Sequence, residues 1–197
     1  GLVIEGRQAW IASEGRRSQD RRARLIRIDL ASGRLQQELP LPQAWRASPG
    51  QGLDSNKGPE SLTALAPGDL LMAAEAPLLQ HQAEDGISLM RRAPGNVLRT
   101  AGALNVGAAG RHDGLTELLA LPTRQQLLGL RRGFAPPDQW TARLQLFALT
   151  DPQGPPLQPI IGWDLMEAGL PPDNWEAMAL GPVLSDGRQT LVLASDD

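Results

Sequence analysis

The sequence predicts an all-β, β-propeller-like fold of about three and a half four-stranded blades, forming one domain over residues 1–197. Three observations carry this reading. The 21 glycines and 17 prolines are spread between short apolar runs, as the turns joining many strands require. The apolar runs pair into hairpins that recur four times. Their landmark acids are evenly spaced: Glu60 to Glu117 is 57 residues, Glu117 to Glu176 is 59, and Glu14 to Glu75 is 61. A period near 60 is too long for a solenoid coil and suits a propeller blade with generous loops.

Taken in order, the first hairpin is Leu2-Val3-Ile4, the turn Glu5-Gly6-Arg7, and Ala9-Trp10-Ile11-Ala12. Arg24 to Asp29 follows with period-2 alternation, then Leu35 to Leu41. The second hairpin, Leu62 to Ala66 and Leu70 to Ala74 around Pro67-Gly68-Asp69, has the clearest turn chemistry. Ile87 to Arg91 and Val97 to Thr100 complete that blade. The third begins at Leu118 to Leu121 and Leu127 to Leu130, and continues through Ala142 to Leu149 and Leu157 to Trp163. Ala177 to Leu180 and Leu191 to Ala194, around Ser185-Asp186-Gly187, give half of a fourth. The blades run roughly over 1–53, 54–110, 111–170 and 171–197. Leu115 to Leu130 could be drawn as a helix, but Pro122 would interrupt it. Short helices are expected at Leu78 to Glu84 and Leu165 to Gly169. Three and a half blades cannot close a ring, so the reading expects a fragment of a larger closed propeller, with any targeting segment upstream of Gly1.

Composition narrows the function. With 41% hydrophobic residues the chain can bury a core, and no apolar run is long enough to span a membrane as a helix. The net charge is −3, which removes the basic excess that nucleic-acid binding uses. The absence of cysteine excludes disulfides and thiolate chemistry. His81 and His112 have no zinc-site spacing and read as loop residues. There is no G-x-S-x-G elbow and no P-loop. Trp10, Trp45, Trp140, Trp163 and Trp175 could stack on a sugar, but fit packing between blades better.

In an antiparallel hairpin, the start of one strand and the end of the next share an edge. Glu60, Glu117 and Glu176 form one column at the start of the inner strand; Glu14, Glu75, Arg132 and Asp196 form a second at the end of the next. Both should face one end of the central channel. So many carboxylates together need cations, arginines or shared protons. One reading is a hard-metal site, most simply Ca²⁺, with Asn56, Asp54, Asn174, Asp173 and Asp197 as further oxygen donors. The others are that each acid caps its own blade by accepting backbone N–H bonds, and that the acids carry out direct acid–base chemistry. Arginines come in pairs at 16–17, 21–22, 91–92 and 131–132, either as solvated loops or as anion-binding forks. Arg16 and Arg132 are the candidates for chemistry, by adjacency to Glu14 and by column position.

Asp54-Ser55-Asn56-Lys57-Gly58-Pro59-Glu60-Ser61-Leu62 resembles the N-x-G-x-E-[GS]-L element of the phytase-like family, also described as having esterase-like activity of phytase. Ile11 to Gly15 followed by Arg24 to Asp29, and Asn174 to Ala179 with Leu191 to Asp197, are similar to further elements of the same family, in the same order. Ser61 replaces a frequent glycine, and Arg132 interrupts the acidic column. The resemblance implies an exported, extracellular or periplasmic bacterial or plant domain related to Ca²⁺-dependent phytases. It favours Glu14, Glu60, Glu176, Asp196 and Asp197 as mouth residues; Glu117 rests on the repeat alone.

The leading expectation is a Ca²⁺-dependent hydrolase of phosphomonoesters or other esters. Glu60, Glu176, Arg16 and Arg132 are the catalytic candidates, and Glu14, Glu60, Glu75, Glu117, Glu176, Asp196, Asp197 and Asn56 the candidate metal ligands. Its partner would be a small ester or phosphate ester, with no nucleic acid and no membrane span; the oligomeric state stays open. The alternatives are a non-catalytic propeller that binds a protein or glycan with structural calcium, and a lactonase-like calcium propeller.

Overall fold

A computed structural model of the chain describes residues 1–15, 22–66, 68–82, 86–93, 95–107, 113–149 and 155–196, with the backbone alone at 122. Among them the fold is all-β, with four successive antiparallel sheets. The first contains β1 (Leu2–Glu5), β2 (Gln8–Ser13), β3 (Arg24–Asp29) and β4 (Leu35–Pro40). The second contains β5 (Ser61–Ala66), β6 (Asp69–Ala73), β7 (Gly86–Ala93) and β8 (Val97–Asn105). The third contains β9 (Asp113–Leu121), β10 (Gln126–Ala135), β11 (Gln139–Ala148) and β12 (Pro159–Asp164); β13 (Trp175–Val183) and β14 (Gln189–Ser195) pair alone. Each four-stranded sheet is a meander in sequence order. The first strands of successive sheets lie side by side, β1 against β5, β5 against β9 and β9 against β13, which is the blade arrangement of a propeller.

Three apolar layers separate the four sheets. Trp10, Leu25, Trp45, Leu62, Leu70 and Met72 fill the first, and Leu71, Leu89, Leu104, Leu115, Leu127 and Phe147 the second. Leu128, Leu130, Leu144 and Met178 fill the third. β6 shows why the sequence looks apolar without alternation: Leu70 and Met72 enter the first layer, while Leu71 and Ala73 enter the second. A strand covered on both faces has no polar face to show. Leu115 to Leu130, helix-like in composition, is β9 and β10 joined by a 3-10 turn at Pro122–Arg124. Of the two expected short helices, Leu79–His81 forms a 3-10 turn; Leu165 to Gly169 is a turn without a helix. Among the described residues no helix is long and apolar enough to cross a membrane.

Trp10 and Trp45 are each 1% exposed, the packing role expected of them. Trp140 packs on Phe134 with ring centroids 4.6 Å apart, and Trp163 is exposed on the outermost strand of its sheet.

Candidate functional site

The strand ends at one edge of the sheets build a repeated joint. In the second sheet Glu75 N–H donates to the Gly58 carbonyl at 3.0 Å, and in the fourth Asp196 N–H donates to the Asn174 carbonyl at 3.0 Å. In the third, Arg132 is paired with Gly114 by strand register. Gly58, Gly114 and Asn174 are therefore equivalent positions. Each is met from the preceding sheet by a residue of the second acidic column. A Cβ on Gly58 would lie 2.2 Å from the Glu14 Cβ, and one on Gly114 would lie 2.3 Å from Glu75 Oε1. Only glycine leaves room for those acids. At the third joint Arg132 Nη2 and Asn174 Nδ2 both donate to Glu176 Oε1, at 2.6 and 2.9 Å. Arg132, an interruption of the column by sequence, is the cation that closes this joint.

The same register corrects the first column. Ser61 faces Ala73, and Ala177 faces Ala194, so Glu60 and Glu176 stand just before equivalent pairs. In the third sheet the residue facing the equivalent Leu130 is Glu117 itself, and the position of Glu60 and Glu176 is taken by Thr116. The register shift between Leu130 and Arg131 falls at Thr116, and such a bulge re-aims the side chains around it. Thr116 is 1% exposed and donates through Oγ1 to the Trp175 carbonyl at 3.1 Å, a structural bond between sheets. Glu117 instead reaches the central cavity from one residue further along, with Oε1 accepting from Leu118 N–H at 2.9 Å and Leu62 N–H at 3.4 Å.

That cavity, about 530 Å³, takes Glu60, Glu117, Glu176 and Asp196 into one wall. Leu2, Ile11, Ala177 and Ala194 supply much of the remainder. Glu60 is the group least satisfied: its Oε2 is buried with no hydrogen-bond partner. Burial raises the Glu60 carboxyl to about 7, reinforced by the charges of Glu75, Glu176 and Glu14 and opposed by Arg132. Five side chains from all four sheets thus share one electrostatic neighbourhood. Glu117 is also raised to about 7, chiefly by burial, with its two N–H donors pulling the other way. Burial raises Glu75 too, while Lys57 lowers it: Lys57 Nζ lies 2.5 Å from Glu75 Oε1, and the carboxylate is 3% exposed.

The remaining candidates divide. Glu14 is exposed at the first joint; Asn56 is exposed, with φ 58, in the turn leading to Lys57. Arg16 and Asp197 lie outside the described residues, as do Arg17, Arg21 and His112. In the two described pairs, neighbours on a strand point to opposite faces and take separate partners: Arg91 grips both carboxylate oxygens of Asp69, while Arg92 donates to the Gly68 carbonyl and to Asn96. Arg131 turns away from the mouth to Asp113, at 3.2 Å, and to the Val106 carbonyl, while Arg132 takes Glu176. Sequence reasoning missed Lys57 as a site residue; its signal was its standing as the only lysine, three residues before Glu60.

The family model for phytase-like proteins, described as esterase-like activity of phytase, matches residues 1–197, the whole chain. The chain belongs to the phytase-like family. No curated protein matches it at a significant level. Two of the three joints of this phytase-like chain involve the segments that carry the resemblance: Glu14 meets Gly58 of the element ending at Glu60, and Glu176 takes Arg132 and Asn174. Calcium, implied by the resemblance, needs a grouped set of oxygen ligands. Among the described residues no three acids or histidines are grouped to hold a metal ion, and Glu75 and Glu176 already face Lys57 and Arg132. The described side chains do not fit a preformed calcium cage.

Two expected outcomes follow from these charges. A carboxyl raised above its unfolded value of 4.5 binds its proton more tightly in the folded state, so the stability it gives at low pH is lost as pH rises through about 7. The thermal midpoint should therefore be higher at pH 5 than at pH 8, and Glu60→Gln should flatten the difference. A midpoint that climbs steadily from pH 5 to 8 would contradict this. Lys57→Met leaves Glu75 buried without its cation and should cost on the order of 3 kcal/mol at pH 8. The loss should shrink at pH 5, where Glu75 can take up a proton; equal losses at both pH values in denaturant titrations would count against the pairing.

Proposed function

We propose that this phytase-like chain is an ester hydrolase working at the mouth of the sheet array, with Glu60 as proton donor and Glu117 as proton acceptor. The observation that carries the reading is the Glu60 carboxyl: one oxygen buried and unpartnered, in a cavity shared with three further carboxyls, and held near neutral titration. A group that titrates near the working pH is suited to both halves of proton transfer. Glu117 is anchored through Oε1 by backbone N–H donors, which favour its ionised form and fix its orientation.

In the proposed step, Glu117 removes a proton from a water whose oxygen attacks the ester centre. The bond to the leaving alcohol breaks, and Glu60 gives its proton to the departing oxygen. Arg132, whose Nε has no partner among the described residues, lies in the field of Glu60 and offsets charge developing on the reacting group. The net chemistry is hydrolysis, with water supplying both the hydroxyl of the acid product and the proton of the alcohol. Phosphomonoesters, carboxylic esters and lactones all present such a centre.

A panel of chromogenic phosphomonoesters, carboxylic esters and lactones, assayed with and without chelator, tests this reading and the calcium dependence implied by the resemblance. Turnover that tracks a basic limb near pH 7 supports the assignment. The ion pairs Lys57–Glu75 and Arg132–Glu176 also favour a second reading, a binding module whose mouth is locked by inter-sheet charges. Calcium-dependent thermal stabilisation with no turnover on any panel member would favour that module over the hydrolase.

A further inference from the structure

We propose, resting on the hydrolase reading, that the cavity selects uncharged esters with an apolar group and discriminates against phosphomonoesters when no divalent cation accompanies them. The described lining carries four acidic residues and no lysine or arginine side chain. Glu60, Glu117, Glu176 and Asp196 all line the space. The two nearby cations are committed: Lys57 Nζ to Glu75 at 2.5 Å and Arg132 Nη2 to Glu176 at 2.6 Å. A phosphomonoester carries a charge of about −1.5 to −2 at neutral pH, and recognition of such a group uses free guanidinium or ammonium donors. Capture by Arg132 or Lys57 would first strip a cation from a buried or half-buried carboxylate. The raised carboxyls of Glu60 and Glu117 point the same way, since a site that already resists its own negative charge resists more.

The rest of the wall favours an apolar occupant. Ala177 and Ala194 face each other across β13 and β14, so two methyl groups floor that side of the space; Leu2 and Ile11 stand on sheet one. At the equivalent position of the third sheet, the partners are Glu117 and the fully buried Leu130. The small pair at β13–β14 is what leaves room for a substrate's alkyl or aryl group.

The test uses the full chain in chelator at pH 7.5 and two unreactive probes of similar size, N-phenylbutyramide and phenylphosphonate, with binding followed by calorimetry or ligand-observed NMR. The amide should bind at least tenfold more tightly than the phosphonate, and Ala177→Trp should weaken amide binding at least tenfold while the thermal midpoint is retained. Equal or tighter phosphonate binding overturns the inference, as does failure of both probes to bind or amide binding untouched by Ala177→Trp. Amide binding with those properties but no turnover on the ester panel upholds the selectivity and removes only the hydrolase reading.

Discussion

Glu60→Gln is expected to lower turnover of the best panel ester by about 10²- to 10⁴-fold, the range lost when a positioned acid–base group is removed. The amide keeps the size and one hydrogen-bonding oxygen of the carboxyl and cannot give up a proton near neutral pH. The loss should fall on kcat, because Glu60 is assigned to bond breaking. Folding is a separable variable here. Glu60 is disfavoured as an anion by burial and by Glu75, Glu176 and Glu14, so its neutral analogue should be at least as stable as the parent at pH 8. An inactive variant with an undiminished thermal midpoint supports the role. Full activity in Glu60→Gln would remove Glu60 from the mechanism, and with it the observation on which the hydrolase reading stands.

Trp10→Ala should be the most destabilising single change, costing about 3–5 kcal/mol. Trp10 lies on β2, is 1% exposed, and sits in the apolar layer between the first two sheets. The Arg92 guanidinium, from β7 of the second sheet, covers its ring at 4.1 Å, and Arg27 approaches at 5.3 Å. Its Nε1 donates to Glu5 Oε2 at 3.2 Å, while Glu5 Oε1 accepts from Gly68 N–H across the sheet boundary at 2.9 Å. Arg92 in turn donates to the Gly68 carbonyl at 2.8 Å and to Asn96. Truncation removes the ring's apolar burial and the surface over which Arg92 lies. Trp10→Phe keeps most of the burial and should cost only about 1–2 kcal/mol, mainly the lost bond to Glu5. Denaturant midpoints for the two variants check the ordering; equal costs would show that the ring's packing is not the main contribution.

Hairpin order and strand pairing were readable because turns and apolar runs are local. Arg24 to Asp29 alternates over the same six residues that form β3, and the Ala142 to Leu149 run lies almost wholly in β11. Matching the apolar strings also aligned Glu75, Arg132 and Asp196, which pair with Gly58, Gly114 and Asn174, and Glu14, which meets Gly58 as Glu75 meets Gly114. Spacing failed at Glu117. Thr116, not Glu117, is the register equivalent of Glu60 and Glu176; a register shift falls at Glu176 as well, so the offset lies in unequal repeats of 56 and 60 residues, which no local composition announces. Lys57 was passed over for a related reason: its partner Glu75 is 18 residues away, and an ion pair of that separation is created only by the fold.

By itself the sequence determined the all-β class, the order of the strands and the gathering of acids at one edge, because periodicity, turn residues and repeat spacing are properties of the chain. Tertiary structure decided which acids are neutralised and which are not. Lys57 takes Glu75, Arg132 takes Glu176, and Glu60 keeps a buried oxygen without a partner. The physical reason is that charge pairing and desolvation depend on distance and burial between sheets, and a carboxylate's chemistry is set by those two quantities and not by its place in the sequence.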